Sequence, residues 1–274
     1  MPEIMKLANR TAVVTGAASG IGRGIAISLA RRGCHLALAD INEAPLAETA
    51  KLVTTPSLRI SQHRLNVADR AAVAALPAQV LAQHPGVDIL INNAGVALGG
   101  TFDQVTDADF EWLFEINFWG VVRMTRAFLP LLKASTDARL VNVSSVYGII
   151  SPPAQTAYSA SKFAVRGFSN ALRNELVDTK IGVTVVHPGG VATNIARNAR
   201  IPVGLSPAEM EARVKSAEKL LTLPPEAAGE IIVKGIEHRK PRVLVGSDAK
   251  LIALIERLAP VSNWKFVERM KPRA

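Results

Sequence analysis

Seven short apolar runs rich in Val, Ile and Leu recur along this chain, and stretches of helical length separate most of them. The first is Thr11-Ala12-Val13-Val14-Thr15, and Leu36-Ala37-Leu38-Ala39 follows one helical stretch later. Leu58–Leu65, Val87–Ile91, Leu140–Val143, Gly182–Val186 and Arg242–Val245 complete the set. Strands alternating with helices pair in parallel through right-handed crossovers, and continuous apolar runs suit strands covered on both faces. The pattern predicts an α/β fold: a doubly wound, seven-stranded, mostly parallel sheet with helices on both faces. A chain of 274 residues, 49% hydrophobic and 20% charged, can bury the core such a domain needs.

Composition narrows the function. Cys34 is the only cysteine, so an intramolecular disulfide and a cysteine-based metal cluster are excluded. A reducing, cytoplasmic setting is expected. His35, His63, His84, His187 and His238 are scattered without ligand spacing, and no metal site is expected. Met1 to Arg10 carries Glu3, Lys6 and Arg10 and no long apolar core, so neither a signal peptide nor a membrane span is expected. The net charge of +9 is uneven: residues 250–274 hold six cations against two acids. No Cys/His finger or aromatic RNA-binding signature accompanies it, and no nucleic-acid partner is expected.

The first apolar run leads straight into Gly16-Ala17-Ala18-Ser19-Gly20-Ile21-Gly22, then a helix from about Arg23 to Arg32 that Gly33 stops. A glycine-rich turn between a strand and a helix brings backbone N–H groups and the helix N-terminus toward a pyrophosphate. The spacing here is G-x-x-x-G-x-G, not G-x-G-x-x-G. Asp40 closes the second run, 24 residues after Gly16. A carboxylate there accepts hydrogen bonds from ribose hydroxyls and repels a 2′-phosphate, which favours NAD over NADP. Arg23, beside the loop, is the cation that could weaken this preference. Further on, Tyr158 and Lys162 stand four apart on a predicted helix and so share a face. A lysine cation near a phenol lowers its pKa and suits the tyrosine to acid/base work.

Six motifs now stand in order: T15-G-A-A-S-G-I-G22, N92-N-A-G95, Asn117, Ser145, Y158-S-A-S-K162 and P188-G-G-V-A-T193. With them the chain resembles the short-chain dehydrogenase/reductase family in its compact, single-domain, Rossmann-type form, over about residues 8 to 246. The resemblance implies an NAD(P)-dependent oxidoreductase that interconverts a secondary alcohol and a ketone, or a primary alcohol and an aldehyde. It implies Tyr158 as catalytic acid/base and Lys162 as the group that lowers its pKa and binds the nicotinamide ribose. Ser145, thirteen residues before the tyrosine, would hydrogen-bond the reacting oxygen, and Asn117 would hold a water in a proton relay. Ser144 misses that interval by one and reads as structural.

The cofactor would lie along Gly16, Ser19, Gly20, Ile21, Gly22 and Asp40, and against Asn93, Ala94 and Gly95. Pro188, Gly189, Val191 and Thr193 would hold the nicotinamide carboxamide. Asn66-Val67 stands where the family often has Asp-Val against the adenine; the Asn carbonyl still accepts a hydrogen bond. Asp69 matches the second acid of that pattern. The family commonly assembles, so a homodimer or homotetramer is expected.

Residues 1–247 are expected to form the cofactor-binding and catalytic domain. Thr193 to Pro225, with a helical stretch from Ala208 to Leu221, reads as a lid. Ile149, Ile150, Pro152, Pro153, Ile201, Val203 and Leu205 suggest an apolar alcohol or carbonyl substrate. Arg197, Arg200 and Arg213 lie in the mobile part, and none is fixed as a carboxylate clamp. Residues 248–274 read as a basic amphipathic tail: Leu251, Ile252, Leu254, Ile255 and Leu258, then Trp264, Phe266, Val267 and Met270 among Lys265, Arg269 and Lys271. Subunit packing is the favoured role, peripheral membrane contact the alternative. Two other readings stay open: a membrane-associated lipid, retinoid or steroid oxidoreductase, and a non-catalytic dinucleotide sensor.

Overall fold

The computed structural model describes residues 4–269. Glu3 of the N-terminal reading and Met270, Lys271 and Arg273 of the tail lie outside the described residues. Strands β1 (Thr11–Thr15), β2 (His35–Asp40), β3 (Ile60–Arg64), β4 (Ile89–Asn92), β5 (Ala138–Val143), β6 (Ile181–Pro188) and β7 (Arg242–Val245) form one sheet. Its order is β3-β2-β1-β4-β5-β6-β7. Every pairing is parallel; Val13, for example, stands opposite Ala37 on one side and Leu90 on the other. The chain winds outward from β1 to β3 and returns to β4, which opens a crevice at the C-terminal ends of β1 and β4.

The helices are α1 (Gly20–Ala30), α2 (Glu43–Val53), α3 (Arg70–Leu81), α4 (Asp107–Phe114) and α5 (Gly120–Ala134) in the first half. Then come α6 (Thr156–Glu175), α7 (Pro207–Glu218), α8 (Pro225–Glu237), α9 (Ser247–Leu258) and α10 (Asn263–Arg269). Helices α1, α2 and α8 cover one face: Ile25, Leu29, Leu46, Val53 and Ile232 pack on Ala12, Val14, Leu36 and Val141. Helices α3, α5 and α6 cover the other, where Val73, Met124, Phe128, Leu132 and Leu172 meet Val13, Ala37, Leu90 and Leu140. The α5 spacing 121, 124, 125, 128, 132 is a helical stripe, and each large buried apolar side chain stabilises by about 1.5–3 kcal/mol. Helices α1 and α8 cross in close contact at Gly24 and Gly229; a Cβ on either would run into the other helix's backbone.

Strands β1 and β5 are buried throughout, which explains their continuous apolar sequences. Edge strand β3 alternates instead, with Ser61 and His63 inward and Gln62 and Arg64 outward. It is shorter than the expected Leu58–Leu65. Under the crevice an amide ladder joins both layers: Asn92 Nδ2 donates to Asn142 Oδ1 (2.8 Å) and Thr125 Oγ1 (3.2 Å). Asn142 Nδ2 donates on to Ser169 Oγ at 3.0 Å. Helix α9 follows β7 and buries Ala249, while Leu251, Leu254 and Leu258 remain exposed. Among the described residues no helix is long and apolar enough to cross a membrane.

The histidines are less scattered than the sequence suggests. Strand β3 and the residues after α3 bring His63 and His84 onto one hydroxyl, Ser61 Oγ, each with Nε2 at 2.8 Å. Among the described residues no group of three His, Cys, Asp or Glu could hold a metal ion. Burial lowers the pKa of His63, and takes His84 and His187 down to about 4. The folded state therefore holds them neutral, and the unfolded chain binds more protons below about pH 6.5. Stability is complete above that pH and is lost as pH falls toward 4. The melting temperature is expected to drop between pH 6.5 and 4.5, and His84→Gln should flatten part of the drop. Equal melting temperatures at pH 7.5 and 5 would count against this.

Candidate active site

The crevice begins where β1 stops. Gly16 and Gly20 take φ of +66° and +54°, conformations that favour glycine. A Cβ on Gly16 would lie 2.8 Å from Asn93 Nδ2 and 2.9 Å from Ala94 Cα. Helix α1 starts at Gly20, earlier than the Arg23 expected, because the last two glycines of the turn already belong to its first turn. Ser19, its N-cap, makes no side-chain capping bond, so no side chain caps the first-turn N–H groups. Thr15 locks the two loops together: its Oγ1 accepts from the backbone N–H groups of Asn93 (3.0 Å) and Ala94 (3.1 Å). Asn93 Nδ2 returns bonds to the carbonyls of Thr15 (3.0 Å) and Gly16 (3.2 Å).

Asp40 reaches back over this turn. Its Oδ2 accepts from Ala18 N–H (3.0 Å) and its Oδ1 from Asn42 N–H (2.9 Å). Arg23 bridges the turn and α2: it donates to the Ala18 carbonyl of the turn (2.6 Å) and, in α2, to Thr49 Oγ1 (2.9 Å) and the Pro45 carbonyl (3.1 Å), and pairs with Glu48. Past β3, Asn66 is exposed and its Oδ1 accepts from Ala68 N–H at 3.0 Å. Val67 is buried beside Gly120. The Asp69 carboxylate caps α3 through Ala71 and Ala72 N–H.

Across the crevice, α6 turns a polar stripe toward the sheet: Tyr158, Ser161, Lys162 and Ser169 are all buried. Lys162 Nζ lies 5.6 Å from the Tyr158 ring centroid and donates to the Val143 carbonyl at 3.3 Å. The Tyr147 ring stands edge-on to Tyr158 at 6.1 Å. Burial pushes the Tyr158 phenol up to about 12, against a lowering hydrogen bond with Ser145, and Tyr147 pushes the same way as burial. Burial also takes Lys162 down to about 8. The lowered phenol pKa expected from the Tyr–Lys pair is therefore not what this geometry gives. The ammonium sits over the ring and is spent on a carbonyl, and desolvation of the phenolate dominates.

Asn117 occupies a π-helical turn, Glu115–Trp119, between α4 and α5. Its amide is fully buried: Oδ1 accepts from Val96 N–H (2.8 Å), while Nδ2 donates to Val96 O (3.0 Å) and Ser161 Oγ (3.3 Å). Ser161 Oγ donates in turn to the Tyr158 carbonyl at 2.7 Å. Gly95 faces both groups; a Cβ there would be 3.2 Å from Asn117 Oδ1 and 3.3 Å from Lys162 Nζ. Ser145 Oγ accepts from Tyr147 N–H (3.1 Å), and Ser144 Oγ donates to the Lys162 carbonyl (2.8 Å). His187 Nδ1 lies 2.9 Å from the Ser145 carbonyl, which only accepts, so this nitrogen carries the proton.

The Pro188–Thr193 loop closes the site. Gly189 N–H donates to Val245 O (2.9 Å) and Gly190 N–H to Asp248 Oδ2 (2.6 Å). Val191 bridges to Leu223, and the Thr193 methyl faces Gly20 across about a van der Waals gap. Residues 193–225, read from sequence as a lid, are tied to the body by a bridge between Leu98 and Arg200. Arg200 pairs with Asp109 (2.7 Å) with its guanidinium 3.7 Å from the Trp112 ring centroid, and Arg197 pairs with Glu218. These two arginines, read from sequence as mobile, are committed. Helix α7 covers Pro207–Glu218 rather than Ala208–Leu221. Ile149, Ile150 and Pro152 are buried, whereas Ile201 and Val203 are exposed, so the apolar wall is split. Sequence reasoning missed Asp248 and gave no role to Thr15, Tyr147 or Ser161, although Thr15 opens the glycine motif and Ser161 stands inside the Tyr158–Lys162 motif.

A fully parallel seven-stranded sheet with a glycine turn at its switch point, facing a buried Tyr–Lys pair, defines a dinucleotide-fold enzyme class. The short chain dehydrogenase family model matches residues 10–203. The chain is 40% identical over 261 residues to SadH of Mycobacterium tuberculosis, which is named as an oxidoreductase; the match covers 94% of each. A short-chain dehydrogenase/reductase from Burkholderia phymatum, solved in complex with NAD, superposes with a TM-score of 0.86 at 26% identity and 99% coverage of both chains. A short-chain dehydrogenase from Mycobacterium paratuberculosis bound to NAD gives 0.74 at 26% identity, over 85% of this chain and 92% of the other. The chain belongs to the short-chain dehydrogenase/reductase family of oxidoreductases.

Proposed function

We propose that the chain is an NAD-dependent oxidoreductase that interconverts an apolar secondary alcohol and its ketone. The reading rests on one observation: buried Lys162 and Asn117 converge on Gly95, where a side chain would crowd them, and Lys162 stands 5.6 Å from the ring of buried Tyr158. The residues suit a dinucleotide. Gly16 and Gly20 clear the turn, the first-turn N–H groups of α1 have no side-chain cap, and Asp40 lies at the end of β2. Asp40 stands near the expected ribose, and the Arg23 guanidinium is engaged by Thr49 and by the Ala18 and Pro45 carbonyls rather than left free for a phosphate, which supports NAD over NADP.

Bound there, the nicotinamide accepts or supplies the hydride; the protein orients the reactants and handles the proton. Tyr158 takes the hydroxyl proton in oxidation and returns it in reduction. Ser145 holds the reacting oxygen and its hydrogen bond lowers the phenol pKa, and a charged Lys162 beside the ring opposes, without outweighing, the cost of burying the phenolate. Asn117 fixes Val96 and Ser161, and would hold the water of a proton relay between Tyr158 and solvent. Pro188, Gly189, Val191 and Thr193 hold the carboxamide end.

The proton's role makes the rate depend on pH with a definite sign. The phenolate fraction grows about tenfold per pH unit below the tyrosine pKa. Lys162, at about 8, supports it only while charged. Alcohol oxidation, as kcat/KM over a panel of apolar alcohols, is expected to rise toward pH 8 and bend over above it. Ketone reduction should not rise over the same range. A flat oxidation profile from pH 6 to 9 would count against Tyr158 as the base.

A further inference from the structure

A second site stands at the opposite end of the sheet. Arg139 is the second residue of β5, and Ser145 follows that strand's other end, so about 20 Å of extended chain separates them. Arg139 is 5% exposed. Gly182 stands opposite it on β6, and a Cβ there would collide with the guanidinium, so the missing side chain makes room for the arginine. The Arg139 side chain makes no hydrogen bond or ion pair among the described residues, and its buried Nε has no partner.

This guanidinium lines a cleft of about 800 Å³. Arg10, Arg173, Lys180 and Arg239 line it too, against a single carboxylate, Asp137. That carboxylate is spent: both its oxygens accept from Arg239 at 2.6 Å. Neighbouring Asp88 is spent as well, on Arg10 (2.8 Å), Ser135 (2.6 Å) and Thr11 N–H (2.9 Å). A buried cation with no acid bonded to it is costly, and burial together with Arg239 holds Arg139 below its ordinary value, at about 10, against the attraction of Asp137. The missing partner is an anion from outside the chain. An excess of cations calls for more than one negative charge, and the guanidinium fork matches an oxyanion. Leu176, Val177 and Pro241 supply an apolar wall for an organic remainder.

We propose that the cleft around Arg139 binds a phosphate dianion, free or on a small organic molecule, at a site separate from the catalytic crevice. The test is calorimetric titration of the full chain with phenyl phosphate and with inorganic phosphate, ionic strength held constant with sodium chloride. Saturable binding is expected, weakened at least tenfold in Arg139→Gln and severalfold in Lys180→Glu, with NADH fluorescence titrations unchanged in both. Tighter phenyl phosphate marks an ester as the occupant; equal affinities mark free phosphate. Absence of wild-type binding at millimolar ligand overturns the proposal. So does wild-type affinity in a folded Arg139→Gln protein, because the anion then sits elsewhere, such as the glycine turn. If Arg139→Gln does not fold, unchanged affinity in Lys180→Glu overturns it.

Discussion

Tyr158→Phe is expected to lower turnover by about a thousandfold while NADH binding stays within about twofold. The substitution removes one oxygen and nothing else. The ring keeps its place against Tyr147 at 6.1 Å and beneath Lys162 at 5.6 Å. The hydroxyl's hydrogen bond is to the Ser145 side chain, and Ser161 bonds the Tyr158 backbone carbonyl, not the phenol. Burial makes the phenol hard to ionise, so loss of the hydroxyl does not leave a charge behind. The fold should melt within a few degrees of wild type, and steady-state rates with an apolar alcohol should separate chemistry from binding. Turnover within about tenfold of wild type would remove Tyr158 from the mechanism.

Asp40→Asn is expected to raise NADPH affinity by about a hundredfold and to lower NADH affinity modestly. A carboxylate about 5 Å from a phosphate charge costs roughly 3 kcal/mol at an effective dielectric near 20, on the order of a hundredfold in affinity. Asparagine keeps one side-chain oxygen for the Ala18 or Asn42 N–H and removes the charge. Arg23 cannot rescue the phosphate without giving up its bonds to Thr49, Ala18 and Pro45. Fluorescence titration of both reduced dinucleotides into wild type and variant reads the switch. Equal wild-type affinity for NADH and NADPH would mean that Asp40 does not face the ribose.

The sheet was legible because its interior strands are covered on both faces and therefore read as unbroken apolar runs. β3 was overextended because an edge strand alternates, and Leu58 and Leu65 flank the paired segment. The start of α1 was misplaced because glycine marks a turn and, here, a helical first turn as well. The site motifs were visible as spacings along the chain, but their contacts are not. Nothing in the sequence says that Asp248 meets Gly190 or that His63 and His84 share Ser61. The phenol pKa was misjudged for a related reason. Spacing puts Tyr158 and Lys162 on one face, but only packing decides that burial outweighs their attraction.

The bond from Gly190 N–H to Asp248 joins the loop that closes the crevice to the first turn of α9. Gly189 has no room for a side chain because that same carboxylate fills the space. Helix α9 is thereby tied at its first turn, through the exposed Asp248, to the loop after β6, while its apolar side chains Leu251, Leu254 and Leu258 face outward. One carboxylate thus serves both the loop and the helix, so a single substitution at Asp248 would cut the loop loose from α9.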